Sequence, residues 1–119
     1  MSTLKVDTIQ DTNAVEMYLA KAWVNFNGTG TVAIRASGNV TSITDNAQGD
    51  FTVNFTNAMS DTNYTVVASQ AYDNNTVSSA NTTNPPVSNN FTTSSFRFST
   101  PNSAGTKIDC TYHYITVFR

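Results

Sequence analysis

Residues 50–56 read DFTVNFT, and their alternation decides the class of fold. Phe51, Val53 and Phe55 fall on one side of an extended chain, and Thr52, Asn54 and Thr56 on the other. Successive side chains of a strand point to opposite faces, so the pattern is that of a strand with one face in a core and one in water. It recurs along the chain. In TVAIRAS, residues 31–37, Val32, Ile34 and Ala36 oppose Thr31, Ala33 and Arg35. In NYTVVASQA, residues 63–71, Tyr64, Val66 and Ala68 share a face, and Val67 opposite them implies partial cover on the second face. The run KIDCTYHYITVFR, residues 107–119, puts Ile108, Cys110, Tyr112 and Tyr114 on one side and Asp109, Thr111 and His113 on the other. Ile115 and Val117 then join the His113 side while Phe118 stays with the tyrosines, which requires a face change, a bulge or burial on both sides.

The breaks sit between these runs. NGTG at 27–30 supplies glycine for positive φ at a hairpin turn. DNAQGD at 45–50, NAMSDTN at 57–63 and STPNSAGT at 99–106 are further loops. SSANTTNPPVSNN at 78–90 carries two prolines, which deny ladder hydrogen bonds, and reads as an exposed excursion. Seven or eight short strands with a turn about every eight to twelve residues predict an all-β fold, an antiparallel β-sandwich of jelly-roll or Ig-like type, with a small barrel as the alternative.

The first 20 residues differ. LKVDTIQ reads as a short strand, while in DTNAVEMYLAKAW the four-residue spacing of Val15 and Leu19, behind caps at Thr12 or Asn13, fits one or two helical turns. A second short strand, VEMYLA, fits as well. Residues 1–20 are expected either to dock as an arm on a neighbouring subunit or to pair at an edge of their own domain, the head at 21–119. As an arm, the segment offers Leu4, Val6, Ile9, Val15 and Leu19 to an assembly interface, and Trp23 extends it on a half-exposed strand face.

Composition narrows the functions. Charged residues are 12% of the chain, against about a quarter in ordinary soluble domains. Thr, Asn and Ser supply 20, 15 and 12 of the 119 positions, so the polar surface is one of hydroxyls and amides. A net charge of −2 with six scattered basic residues argues against nucleic acid as a partner. No segment approaches the roughly 18 apolar residues of a membrane helix, and the N-terminus has no apolar run of signal-peptide kind, so folding in a cytoplasm without membrane insertion is expected. The seven Asn-x-Ser/Thr sequons need secretion to be used and arise readily in a chain this rich in Asn and Thr.

Reactive groups are few. His113 is the one histidine and Cys110 the one cysteine, three residues apart and on opposite faces of a strand. Cys110 is expected to act as a small buried hydrophobe, and His113 to sit on a solvated or interface face. Asp45, Asp50 and Asp61 flank loops, where aspartate caps turns. DNAQGD loosely resembles a calcium loop but lacks the alternating oxygen ligands and closing glutamate. No catalytic residue, cofactor or metal ligand is assigned, and the chain is read as no enzyme. Tyr72, Tyr112, Tyr114 and Trp23 offer flat ring faces to a sugar or to another subunit.

Residues 20–69 closely resemble a module of tail-fibre and other virion structural proteins of tailed bacteriophages, many of them marine. The resemblance rests on Ala22–Phe26 (AWVNF), Gly28–Gly30 (GTG), Asn39–Asp45 (NVTSITD), Gly49–Phe55 (GDFTVNF) and Ala58–Tyr64 (AMSDTNY), with STLKVDTIQ at 2–10 like the start of such fibres. It implies a virion structural protein of tail-fibre or spike type, assembled in the host bacterial cytoplasm. The expected partners are further copies in a homotrimer, other tail or capsid proteins, and a host surface glycan or protein. On grounds of exposure, receptor contact is expected at Tyr72 and at Asn81, Asn84, Asn89 and Asn90 of the long loop. Family members are usually longer, with a shaft before the module, so a short tip, a spike or a capsid decoration protein is the expectation for this length. A polysaccharide-degrading enzyme is a third reading, one that needs paired acids in a groove.

Overall fold

In a computed structural model, which describes residues 2–72, 77–78, 90–102 and 104–119 (77–78 by backbone alone), eight strands follow one another with no helix among them. They are β1 (Ala20–Asn27), β2 (Ala33–Gly38), β3 (Val40–Ala47), β4 (Asp50–Phe55), β5 (Thr65–Ala71), β6 (Val77–Ser78), β7 (Ser95–Ser99) and β8 (Tyr112–Phe118). All pairings are antiparallel. They form a five-stranded sheet in the order β2-β1-β8-β5-β6, its last strand only two residues long, and a three-stranded sheet in the order β3-β4-β7.

The DFTVNFT alternation holds in full. Phe51, Val53 and Phe55 are buried and face Ala22, Val24, Phe26, Ile115 and Val117 of the other sheet in one core cluster. Phe26 meets Phe51 edge-on with ring centroids 5.4 Å apart. Each such ring, fully buried, contributes about 1.5–3 kcal/mol of transfer free energy, so these contacts hold the sheets together.

The chain changes sheets at Asn39. β2 ends at Gly38 and β3 begins at Val40, so one residue turns the corner, with Asn39 at φ 56°. Asparagine tolerates this left-handed conformation better than most residues. Its side chain then fastens the corner: Nδ2 donates to the carbonyls of Lys21 (3.0 Å) and Asn57 (3.1 Å), and Oδ1 accepts the Asn57 amide (2.7 Å).

Register explains the departures from simple alternation. A bulge opposite Asn25/Phe26 displaces Arg35, so Ile34 packs on the core while Ala36, expected on the same face, is exposed. In the C-terminal run, residues 108–110 are not strand, so the phase counted from Ile108 is lost before β8 begins. The core face of β8 is His113, Ile115 and Val117, with Tyr112 and Tyr114 outside. Val67 on β5 is 58% exposed, so the described residues do not supply the second-face cover expected there. Tyr64 closes the far end of the core, its hydroxyl shared between the carbonyls of Thr92 and Ser95 at 3.0 Å each. Burial pushes that phenol up to about 12.

Candidate functional site

Two surfaces lack a complement of their own, and both contain residues singled out in the sequence. The first is the arm. Asp11 Oδ1 accepts the amides of Asn13 (2.8 Å) and Val15 (3.0 Å), Ala14 takes φ 62°, and Met17 N donates to the Ile9 carbonyl (2.8 Å). The result is a tight reversal with Gln10 paired to Glu16, in place of the expected helical turns. The carboxylate of Asp11, one residue before the expected caps, folds the chain back before a helix can start. Of VEMYLA, only Glu16 at that bridge and Ala20 at the start of β1 are paired as strand.

The described residues leave much of the arm's apolar surface uncovered. Leu4 is 85% exposed, and Val6, Ile9, Val15 and Leu19 are exposed too. Met17 and Tyr18 (79% exposed) join them, and the alternation Val15, Met17, Leu19 is the signal in the sequence that marks Met17. Between the arm and the end of the five-stranded sheet lies a groove of about 490 Å³, with Val6, Ile9, Met17 and Leu19 on one side and Thr65 and Phe118 on the other.

The second surface is the outer face of the five-stranded sheet. Register sets Trp23, Thr116 and Val67 in one row across β1, β8 and β5, and Asn25, Tyr114 and Ser69 in the next. Tyr112 and Tyr114 stack along β8 with centroids 6.0 Å apart and planes 14° apart. The displaced Arg35 lays its guanidinium over the Tyr112 ring, 4.2 Å from the centroid, and donates to Asn25 Oδ1 (3.3 Å) and the Thr111 carbonyl (2.8 Å). Trp23 lies across Gly38, where an added Cβ would come within 2.4 Å of the indole nitrogen; glycine lets the ring lie flat. Trp23 remains 44% exposed, on a half-exposed strand face as expected.

The outer side of the three-stranded sheet is different in kind. Asn54 Nδ2 donates to Ser42 Oγ (3.1 Å) and Thr44 Oγ1 (3.0 Å), Asn46 Nδ2 donates to Thr52 Oγ1 (2.9 Å), and the hydroxyls of Thr41 and Thr56 bond at 2.9 Å. Asp50 is no turn cap. It is buried in β4, its carboxylate held by Arg97 Nε (2.7 Å) and Nη2 (2.9 Å) and by Lys107 Nζ (2.7 Å). Those bonds, the Arg97 one foremost, bring its carboxyl down to about 2. Asp61 accepts from the Asn63 amide, as a capping aspartate does, and pairs with Arg119. Among the described residues no three of His, Cys, Asp and Glu converge on a point where a metal ion would sit.

His113 is a core residue, against the expectation of a solvated face. It is 2% exposed and stacked on Phe26, with centroids 4.5 Å apart, and the edges of Phe51 and Phe98 close around it. Burial pushes the imidazole down to about 4, so it is neutral at pH 7. Its ring bonds the backbone of Cys110, and Nε2 faces Gly28 with no partner of its own. Cys110 is buried as expected, and burial raises its thiol pKa, the reverse of a nucleophile's requirement.

Of the residues expected at a receptor, Tyr72 is 67% exposed, its carbonyl accepting from Thr111 Oγ1 at 2.8 Å. Asn90 is half-buried at the loop base, its carbonyl accepting the Arg97 amide. Asn81, Asn84 and Asn89 lie outside the described residues. No family model, curated protein or solved structure matches the chain.

Proposed function

We propose that this chain is a structural component of a tailed-bacteriophage particle, of tail-fibre or spike type, in which residues 1–20 dock and the β domain projects. The observation that carries this reading is the division of the molecule. The core is complete without any residue before Ala22, while the segment ahead of it holds seven large apolar side chains in water. Uncovered apolar surface on that scale is an interaction site. The resemblance of residues 20–69 to virion modules supplies the setting. A durable part of a particle needs a rigid domain, and its contacts are formed by Thr, Asn and Tyr, which lose little side-chain entropy on docking.

Host contact, in this reading, falls to Tyr72 and to residues 81–90. Of the two sandwich types, the immunoglobulin one is the less favoured, because its first strand lies at a sheet edge and β1 has a neighbour on each side. The test is to label the chain with a specific antibody on intact particles of the virus that encodes it. Label at the tail is expected. Label spread over the capsid makes the chain a decoration protein, and particles without label overturn the proposal.

A further inference from the structure

The arm and the aromatic face complement each other. The arm carries Lys5, Asp7, Asp11 and Glu16, a net charge of −2 by those four side chains, alongside its apolar residues. The face carries Arg35 and, at its edge, Lys21, and no carboxylate stands on its β1, β8 and β5 rows. Arg35 is bonded only to neutral groups, an amide oxygen, a carbonyl and a ring, and makes no ion pair among the described residues. Trp23 and Val67 stand at the centre of this face as uncovered apolar surface, with Phe118 at its end.

We propose that the arm of one copy packs across the aromatic outer face of a second copy of the same chain. The inference rests on the reading of residues 1–20 as a docking segment and names the surface that receives it. Reach allows it: nine extended residues span up to about 30 Å, whereas five strands spaced about 4.8 Å apart are crossed in about 19 Å. Leu4 and Val6 alternate with Lys5 and Asp7, so one side of the extended segment is apolar and meets Trp23 and Val67, while the other side stays in water. The arm's net negative charge then lies over a face whose charged groups are the cations Arg35 and Lys21. Each chain gives an arm and receives one through a different surface, a head-to-tail contact that closes into a ring when the rotation permits.

The experiment mixes two defective chains. One lacks residues 2–18 and keeps the face; it folds, since no core residue precedes Ala22. The other is full-length with Val67→Asp, a change at an exposed position, and keeps the arm. Circular dichroism confirms that both are folded, and light scattering on a sizing column reads their mass. The wild-type chain is expected as a defined multiple of 12.9 kDa, each defective chain alone as a monomer, and the two together as a one-to-one complex. The complex should weaken at least tenfold at low salt with Arg35→Glu in the arm-less chain and recover in part with Asp7→Lys in the other, both effects shrinking as salt is raised. A monomeric wild-type chain, or two defective chains that do not combine, overturns the proposal. Particle labelling keeps the two readings apart. If the arm-less chain is lost from particles while the wild type is monomeric in solution, the arm docks on another virion protein and the receiving face is wrongly assigned. If arm and face join copies but no particle carries the chain, the receiving face stands and the virion reading falls.

Discussion

The two outer faces of the β domain cover the same core and are built on opposite principles. On the three-stranded sheet, polar side chains bond one another: Asn54 with Ser42 and Thr44, Asn46 with Thr52, Asp50 with Arg97 and Lys107. That face is finished within the chain. On the five-stranded sheet, Trp23 and Val67 stand in water, with Phe118 and Tyr72 beyond them. A face that satisfies itself should matter to the stability of the isolated chain and little to assembly, and an unsatisfied one the reverse.

The largest effect tests the core that both faces share. Phe51→Ala removes the ring that touches Phe26, Phe98 and His113 and should cost about 3–5 kcal/mol. Denaturant unfolding checks it. A loss below about 1 kcal/mol would mean that the sheets are not held by this cluster.

Next comes pH, through His113. Its imidazole titrates near 4 in the fold and near 6.5 in the unfolded chain. The unfolded state therefore binds the proton first as pH drops. Stability is complete above pH 6.5, falls on the way to pH 4 by on the order of 3 kcal/mol, and then levels off for this group. His113→Gln, which cannot titrate there, should abolish that part of the profile whatever it does to stability at pH 7. A second step follows from Asp50, whose depressed carboxyl loses its contribution as pH falls from 3.8 toward 2. Unfolding at stepped pH values separates the two groups.

Asp50→Asn tests the finished face directly. It removes the anion on which Arg97 and Lys107 converge, but both cations are already partly in water and hydrate on release. The cost should therefore be about 1–2 kcal/mol, below that of breaking a fully buried pair. Asn54→Ala, which breaks the bonds to Ser42 and Thr44, should cost about 0.5–1.5 kcal/mol. Neither should change the mass measured on a sizing column. A change in association with either variant would erase the distinction between the faces.

The sequence discloses these parts unevenly, for physical reasons. Phe51, Val53 and Phe55 were readable because strand periodicity is local. The exposed apolar arm was readable because its hydrophobicity has no nearby counterpart. The core position of His113 is masked because residues 108–110 are not strand, so alternation from Ile108 does not carry into β8, and the exposed position of Ala36 because a bulge at Arg35 shifts the phase. Asp50 resembles a turn cap beside Gly49, and the cations that claim it stand 47 and 57 residues away. The turn at Ala14 was hidden as well, since alanine does not advertise positive φ. Local pattern carries the strands, and long-range pairing, invisible in a single sequence, decides what each polar group does.

The smallest effect on stability makes the sharpest test. Val67 lies on β5 next to Thr116 of β8 and in the same row as Trp23, with more than half of its surface in water. Val67→Thr keeps the β-branch that suits a strand and replaces one methyl group with a hydroxyl. If the aromatic face is unfinished in the single chain, nothing packs on that methyl, and unfolding free energy should change by less than about 0.5 kcal/mol. If a second copy covers it, the hydroxyl enters an apolar contact without a partner, and association should weaken although the fold is unchanged. A stability loss above about 1 kcal/mol in the monomer would instead place Val67 inside the chain's own packing. The five-stranded sheet would then be as finished as the three-stranded one, and the contrast between the faces would be gone.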